Sequence, residues 1–214
     1  MINSQRLACR RVLAIAVFLT PFLVSVATAQ VRYEVGPVFG YYRPLGSFWP
    51  SSVMATSLAR RPSDMSGPAL GLRGRVWFSS RGAVELQAAQ SWSTVPQVIT
   101  PGGPRGPYSV RVLTVVTQGL YEALSVEPFH LWLSAGGGLV RHGGDSYAAY
   151  DSPTGLAGTL GLGCRLRLHG GLSAELGLAN YFYFLDVRTD YGTSVQRGLQ
   201  HDSMVQLGLT WGWS

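Results

Sequence analysis

The chain has 214 residues, with 17 basic side chains, all arginine, against 11 acidic ones, and two cysteines. Three of the arginines and one cysteine fall within the first 29 residues, so setting that segment aside halves the formal net charge of +6, and no Lys/Arg run of the kind that grips phosphate backbones remains. Nucleic acid is therefore not an expected partner, and Cys164, alone after residue 29, offers no intrachain disulfide to stabilise a secreted domain.

At the N-terminus, Arg6, Arg10 and Arg11 precede an apolar run from Val12 to Val26 that is interrupted only by Thr20, Pro21 and Ser25. Ala27-Thr28-Ala29 then supplies small residues at the two positions a signal peptidase inspects. This reads as a secretory signal peptide over 1–29, cleaved after Ala29, with an exported domain over 30–214. The run is too short for a membrane anchor, which needs roughly 20 apolar residues, and Pro21 breaks it. Cys9 lies before the apolar run and is lost with the signal, so it is no lipoprotein acylation site.

From residue 31 onward helical periodicity gives way to alternation with period two. It is clearest from Thr154 to Leu168, where Leu156, Leu160, Leu162, Leu166 and Leu168 share one parity and Gly161, Gly163, Arg165 and Arg167 the other. The same rule predicts strands near 31–42, 69–78, 82–92, 109–121, 129–140, 154–168, 172–184 and 202–213. Eight is the even count that a single-chain transmembrane barrel needs. Connections after the second, fourth and sixth strands are short: 79–81, the EALSVEP stretch from Glu122 to Pro128, and His169-Gly170-Gly171. Those after the first, third, fifth and seventh are long and include the Pro/Gly/Ser-rich segments 42–68 and 93–107. Short turns on one rim and long loops on the other are the asymmetry of periplasmic turns and extracellular loops.

A weak repeat aligns ALGLRGRVWFSSRGAVEL from Ala69, without gaps, on TLGLGCRLRLHGGLSAEL from Thr159, 90 residues later. Each copy reads as a hairpin with an Arg before its turn and a Glu after it. Two barrel hairpins resemble one another by physical necessity, so duplication need not be invoked. Turns centred at Ser80 and Gly170 set Arg75 opposite Glu85 and Arg165 opposite Glu175, two ion pairs on the polar face. In a lumen only wide enough for its own side chains these are expected to be structural, and an open diffusion pore is not expected.

Aromatic residues collect at predicted strand ends. Tyr41, Tyr42, Trp92, Tyr108 and the run Tyr181 to Phe184 fall at the long-loop rim; Phe78, Tyr121, Phe129, Trp211 and Trp213 fall at the short-turn rim. Between them the apolar face is mostly Leu, Val and Ala, as a lipid-facing band with two aromatic girdles would be.

The last strand ends QLGLTWGWS, in which Gln206, Gly208, Trp211 and Trp213 match, in turn, the polar, glycine and two aromatic positions of the C-terminal signal read by the outer-membrane assembly machinery. Ser214 departs from that pattern, which usually ends on the aromatic. With the signal peptide and the alternating strands, residues 31–214 resemble the superfamily of small bacterial outer-membrane β-barrels that includes OmpA-like, OmpX-like and OmpW-like domains. That resemblance implies an all-β, antiparallel up-and-down transmembrane barrel of about eight strands in the cell outer membrane. Its partners would be outer-membrane lipid and the assembly machinery.

Three functions compete on this sequence. The first is a non-enzymatic barrel whose long loops, chiefly 42–68, contact extracellular or envelope partners. The second is an outer-membrane acyl hydrolase or transferase, for which two clusters qualify: His142 with Asp145 and Ser146, or His201 and Ser203 flanking Asp202. Alternation puts His201 and Ser203 on the parity of Val205 and Leu207, facing lipid near the outer rim, where a lipid hydrolase needs its nucleophile and base. The third is a soluble lipocalin-like carrier with its leucines turned inward around a ligand. No cofactor is expected, and four scattered histidines without ligand spacing, His130 and His169 at the short-turn rim among them, do not suggest a metal site.

Overall fold

Strand alternation fixes which way each side chain points, and hydrogen bonding then decides whether the sheet has edges. In the computed structural model it has none. Residues 31–45, 65–95, 98–100, 103–145, 154–188 and 195–214 are described; the segment 1–29, most of 42–68 and Ser146 lie outside them. Ten strands occur: β1 (Arg32–Pro44), β2 (Gly67–Trp77), β3 (Gly82–Val95), β4 (Val98–Thr100), β5 (Gly103–Arg105), β6 (Tyr108–Val126), β7 (Phe129–Gly143), β8 (Thr154–Arg167), β9 (Leu172–Arg188) and β10 (Val195–Trp213). Eight close an antiparallel barrel in the order β1-β10-β9-β8-β7-β6-β3-β2. The remaining two, β4 and β5, pair as a separate small hairpin within the connection from β3 to β6.

Several strands outrun their expected ends. β6 continues to Val126, so the EALSVEP connection shrinks to Glu127-Pro128. The pairing of β6 with β7 shifts between Glu122 and Leu124, a bulge that breaks the alternation and makes strand read as turn. Likewise β9 and β10 reach Arg188 and Val195, which reduces the expected long seventh connection to residues 189–194. The β8–β9 turn needs a left-handed backbone at Gly170 and Gly171, with φ of 69° and 81°. A Cβ at Gly171 would also lie 2.6 Å from the Gly212 carbonyl oxygen, so two glycines there follow from the geometry.

The faces divide by chemistry. Leu72, Leu86, Leu162 and Leu207 each remain more than half exposed on the outside, whereas Arg75, Glu85 and Arg165 are each 1% exposed on the inside. This overturns the carrier expectation, in which leucines line the cavity: the interior is a packed charged and tyrosine core, and the leucines face out. The girdles are also thinner than expected. Tyr41, Trp92 and Phe184 point outward at the long-loop rim, but Tyr42, Tyr181 and Tyr183 are buried in the lumen, because alternation splits the Tyr181 to Phe184 run between the two faces. At the other rim Tyr121, Phe129, Trp211 and Trp213 are outward and exposed.

A closed ladder leaves no strand edge from which detergent can unzip the sheet. Unheated protein in dodecyl sulfate is therefore expected to migrate differently from boiled protein on a gel. Identical migration of the two samples would contradict a closed barrel.

Candidate functional site

The lumen is where the sequence concentrates its charge. β2 and β3 form one hairpin and β8 and β9 another, and in the ring order these hairpins lie on opposite walls, four strand positions apart. The register sets Arg75 against Glu85 and Arg165 against Glu175. Arg75 donates from Nε to Glu85, and Arg165 Nε donates to Glu175 Oε1 at 2.9 Å.

The two pairs do not stay separate, as the hairpin reading alone would have them. Arg75 reaches across the lumen to Glu175 Oε2 at 2.7 Å, and Arg73 donates to the same oxygen at 2.6 Å. Glu34, on β1, takes Arg165 at 3.0 Å and lies 3.6 Å from Arg75. Three buried arginines (73, 75, 165) thus meet three glutamates (34, 85, 175) in one network, and the partly exposed Arg32 adds to it at 3.2 Å from Glu34. Gln118 donates to Glu85 Oε1 at 2.6 Å, and the Ser134 hydroxyl donates to Gln118 at 3.2 Å. The guanidinium groups of Arg165 and Arg75 also lie over the rings of Trp77 and Trp132, at 4.9 and 5.6 Å. Chemically this is a plug: each charge is spent on its neighbours, which favours structure over ligand binding.

The C-terminal motif residues are shared between the two faces. Gln206 is buried and accepts a hydrogen bond from Arg73 at 2.9 Å. A Cβ at Gly208 would approach the Arg73 guanidinium to 3.3 Å, so glycine there makes room for the plug. Trp211 and Trp213 point outward.

Towards the long-loop rim, Asp202 is fully buried and accepts from the hydroxyls of Tyr42 and Tyr183 and from Gln200 at 2.7 Å. His142 also faces this interior, with Nε2 2.9 Å from the Tyr183 hydroxyl. Asp145 instead accepts from the Ser109 hydroxyl at 2.9 Å on the exposed rim, and that hydrogen bond holds its carboxyl below the usual carboxylate range. The structure therefore separates His142 from Asp145, and it turns Asp202 away from His201 and Ser203. Asp202 joins neither His201 nor Ser203 because adjacent strand residues face opposite sides; His142 turns inward on β7 while Asp145 lies on the rim beyond it, and Ser146 is outside the described residues. Near the other rim, His130 Nδ1 lies 2.9 Å from Glu122 inside the barrel, and His169 is exposed in the β8–β9 turn.

His201 and Ser203 do share the outer face, and there they meet a residue that alternation of β10 alone does not reveal. Asn180 on β9 is the register partner of Ser203. Its Oδ1 accepts the Ser203 hydroxyl at 2.7 Å and lies 3.1 Å from His201 Nε2. The His201 ring stacks on Phe182 with centroids 4.5 Å apart. A signal was available: along the outward parity of β9 from Leu172 to Phe184 (Leu172, Ala174, Leu176, Leu178, Asn180, Phe182, Phe184), Asn180 is the single polar residue.

Glu175 receives three arginines and Glu85 two, one of them at only 3.9 Å. Removing one partner of a buried pair costs about 3 to 5 kcal/mol. Glu175→Ala is therefore expected to destabilise the barrel more than Glu85→Ala in urea unfolding from lipid vesicles. Equal losses would mean that the two hairpins are not joined across the lumen.

No protein-family model and no curated protein matches the chain. Solved structures do. Neisserial surface protein A aligns with a TM-score of 0.57 at 9% identity, over 84% of this chain and 96% of that one. AlkL, an outer membrane protein solved in lipid bilayers, gives 0.54 at 13% identity over 88% and 92%. OprG from Pseudomonas aeruginosa gives 0.53 at 14% identity over 85% and 95%. With the eight-strand closure and the charged lumen, these likenesses show that the chain has the fold of the small eight-stranded outer-membrane β-barrels.

Proposed function

We propose that this chain is exported through a cleaved signal peptide over residues 1–29 and resides in the outer membrane as an integral barrel. Its role there is structural or surface-interactive, carried by the long connections at one rim. The observation that carries this reading is the inversion of polarity. A water-soluble barrel would face polar groups outward, yet here leucine, valine and tryptophan face out while the arginines and glutamates neutralise one another inside. Burying that outer band in lipid removes the cost of exposing it to water.

The same plug argues against transport through the lumen, since passage of a solute would require the Arg73-Arg75-Arg165 network to open against buried charge. Interaction therefore falls to the rim that receives the long connections β1–β2, β3–β6 and β7–β8, the place where rigid scaffolds commonly present binding residues. Neisserial surface protein A, a surface protein by name, shares this fold. Partners on this reading are outer-membrane lipid, the assembly machinery through Gln206, Gly208, Trp211 and Trp213, and extracellular or envelope molecules at the loops.

Expression of the full chain in a Gram-negative host is expected to place the mature protein, shortened by the signal segment, in the outer-membrane density fraction. Trp211→Ala with Trp213→Ala removes both outward aromatics at the short-turn rim, and the amount assembled should fall several-fold. Recovery of the wild-type protein in the periplasmic soluble fraction would contradict the location, and undiminished assembly of the double variant would contradict the role given to the terminal motif.

A further inference from the structure

From Leu199 to Trp213 the outer face of β10 runs Leu199, His201, Ser203, Val205, Leu207, Leu209, Trp211 and Trp213, and from Leu172 to Phe184 that of β9 is apolar except for Asn180. Three polar side chains thus gather at one spot of an apolar face and satisfy one another there. Polar and ionisable groups facing lipid are costly, and a barrel gains nothing in packing from them, since leucine at each position would continue the band. The spot lies near the long-loop rim. In register, Tyr41 pairs with Val205, and one step further out the exposed Arg43 pairs with Ser203. The cluster therefore sits where an outward aromatic gives way to a cation, the order expected on passing from the acyl region to the headgroups.

We propose that Asn180, His201 and Ser203 form a serine acyl-hydrolase centre on the lipid-facing side of the barrel, acting on a fatty acyl ester of a phosphorylated membrane lipid. This rests on the reading that the outer face meets lipid. Asn180 Oδ1 is an acceptor, so the His201 Nε2 beside it carries the ring proton and the other ring nitrogen is left basic. Asn180 then does for His201 what the third member of a hydrolase triad does, fixing the tautomer and orientation of the base. In the resting arrangement the Ser203 hydroxyl donates to the same Asn180 oxygen, and the reaction requires it to leave that oxygen for the basic ring nitrogen of His201. The stacked Phe182 holds the imidazole against the wall. Arg43, on the neighbouring strand, supplies the cation for a lipid phosphate.

The reaction follows from these roles. Ser203 Oγ bonds to the ester carbonyl carbon as its proton passes to His201; the carbon–oxygen bond to the alcohol breaks, and His201 returns the proton to the departing oxygen. Water from the headgroup layer then attacks the acyl-serine and gives a proton to His201, which hands it back to Ser203 Oγ as the free fatty acid leaves. One ester and one water become one alcohol and one acid.

The test uses the refolded full-length mature barrel in vesicles of phosphatidylglycerol and, separately, in vesicles containing lipid A. Fatty acid release and covalent labelling by a long-chain fluorophosphonate are read together. Wild-type protein is expected to take the label on Ser203 and to release fatty acid from at least one vesicle type, the type identifying the lipid source. Ser203→Ala should abolish both, and His201→Phe and Asn180→Leu should lower the rate by about 100-fold or more, while all three keep the gel shift of a folded barrel. Absence of labelling and release in wild-type protein that shows the gel shift would overturn the proposal and leave the barrel standing. Release that survives Ser203→Ala would overturn it as well. Failure of wild-type protein to insert into either vesicle would instead overturn the lipid-facing reading on which it rests.

Discussion

Glu175 stands where guanidinium groups from opposite walls converge, and the architecture depends on that neutralisation. A ring of eight strands has an interior just wide enough for side chains, so a charge placed inside has no bulk water to turn to. Arg73, Arg75 and Arg165 against Glu34, Glu85 and Glu175 balance one another's charge, and hydrogen bonds from Gln118 and Thr210 and to Gln206 add to the network. The tryptophans under the guanidinium groups fill the space between them. With most of the polarity committed to the lumen, the outside is left mainly to apolar residues, and the molecule becomes a solute for lipid.

The fold was legible because a closed sheet with two different solvents imposes a strict period of two, and strands β1, β2, β3, β7, β8 and β9 obey it closely. Legibility failed where that period fails. At Glu122 to Leu124 the bulge turns one polar residue inward and lets Leu124 and Val126 face out together, so a strand looks like a connection. Composition alone puts Tyr42, Tyr181 and Tyr183 in the girdle, yet they are buried in the lumen, because a rim aromatic and a lumenal aromatic differ only in parity. Parity also placed Arg75 and Glu85 on one face from sequence. What it does not carry is distance across the lumen, so the bond from Arg75 to Glu175, between residues 100 apart, came only from closure of the ring.

The same limitation explains the outer-face cluster. His201 and Ser203 announce themselves within one strand by their spacing of two. Asn180 belongs to the neighbouring strand, and nothing local links it to them until the register of β9 with β10 is known. Yet its oddity is present in the sequence, as one polar residue among six apolar ones of equal parity between Leu172 and Phe184. The charged network and the outer polar cluster thus occupy opposite faces of the same two strands: Glu175 and Gln206 look into the plug, Asn180 and Ser203 look out.

Quenching by brominated lipids shows whether the tryptophans of the two faces see different solvents. Variants retaining one tryptophan each, Trp211 or Trp132, with phenylalanine at the other positions, are reconstituted in vesicles whose acyl chains carry bromine. Strong quenching of the Trp211 variant with little quenching of the Trp132 variant is the predicted result. Equal quenching, or stronger quenching of Trp132, would contradict a charged interior surrounded by lipid.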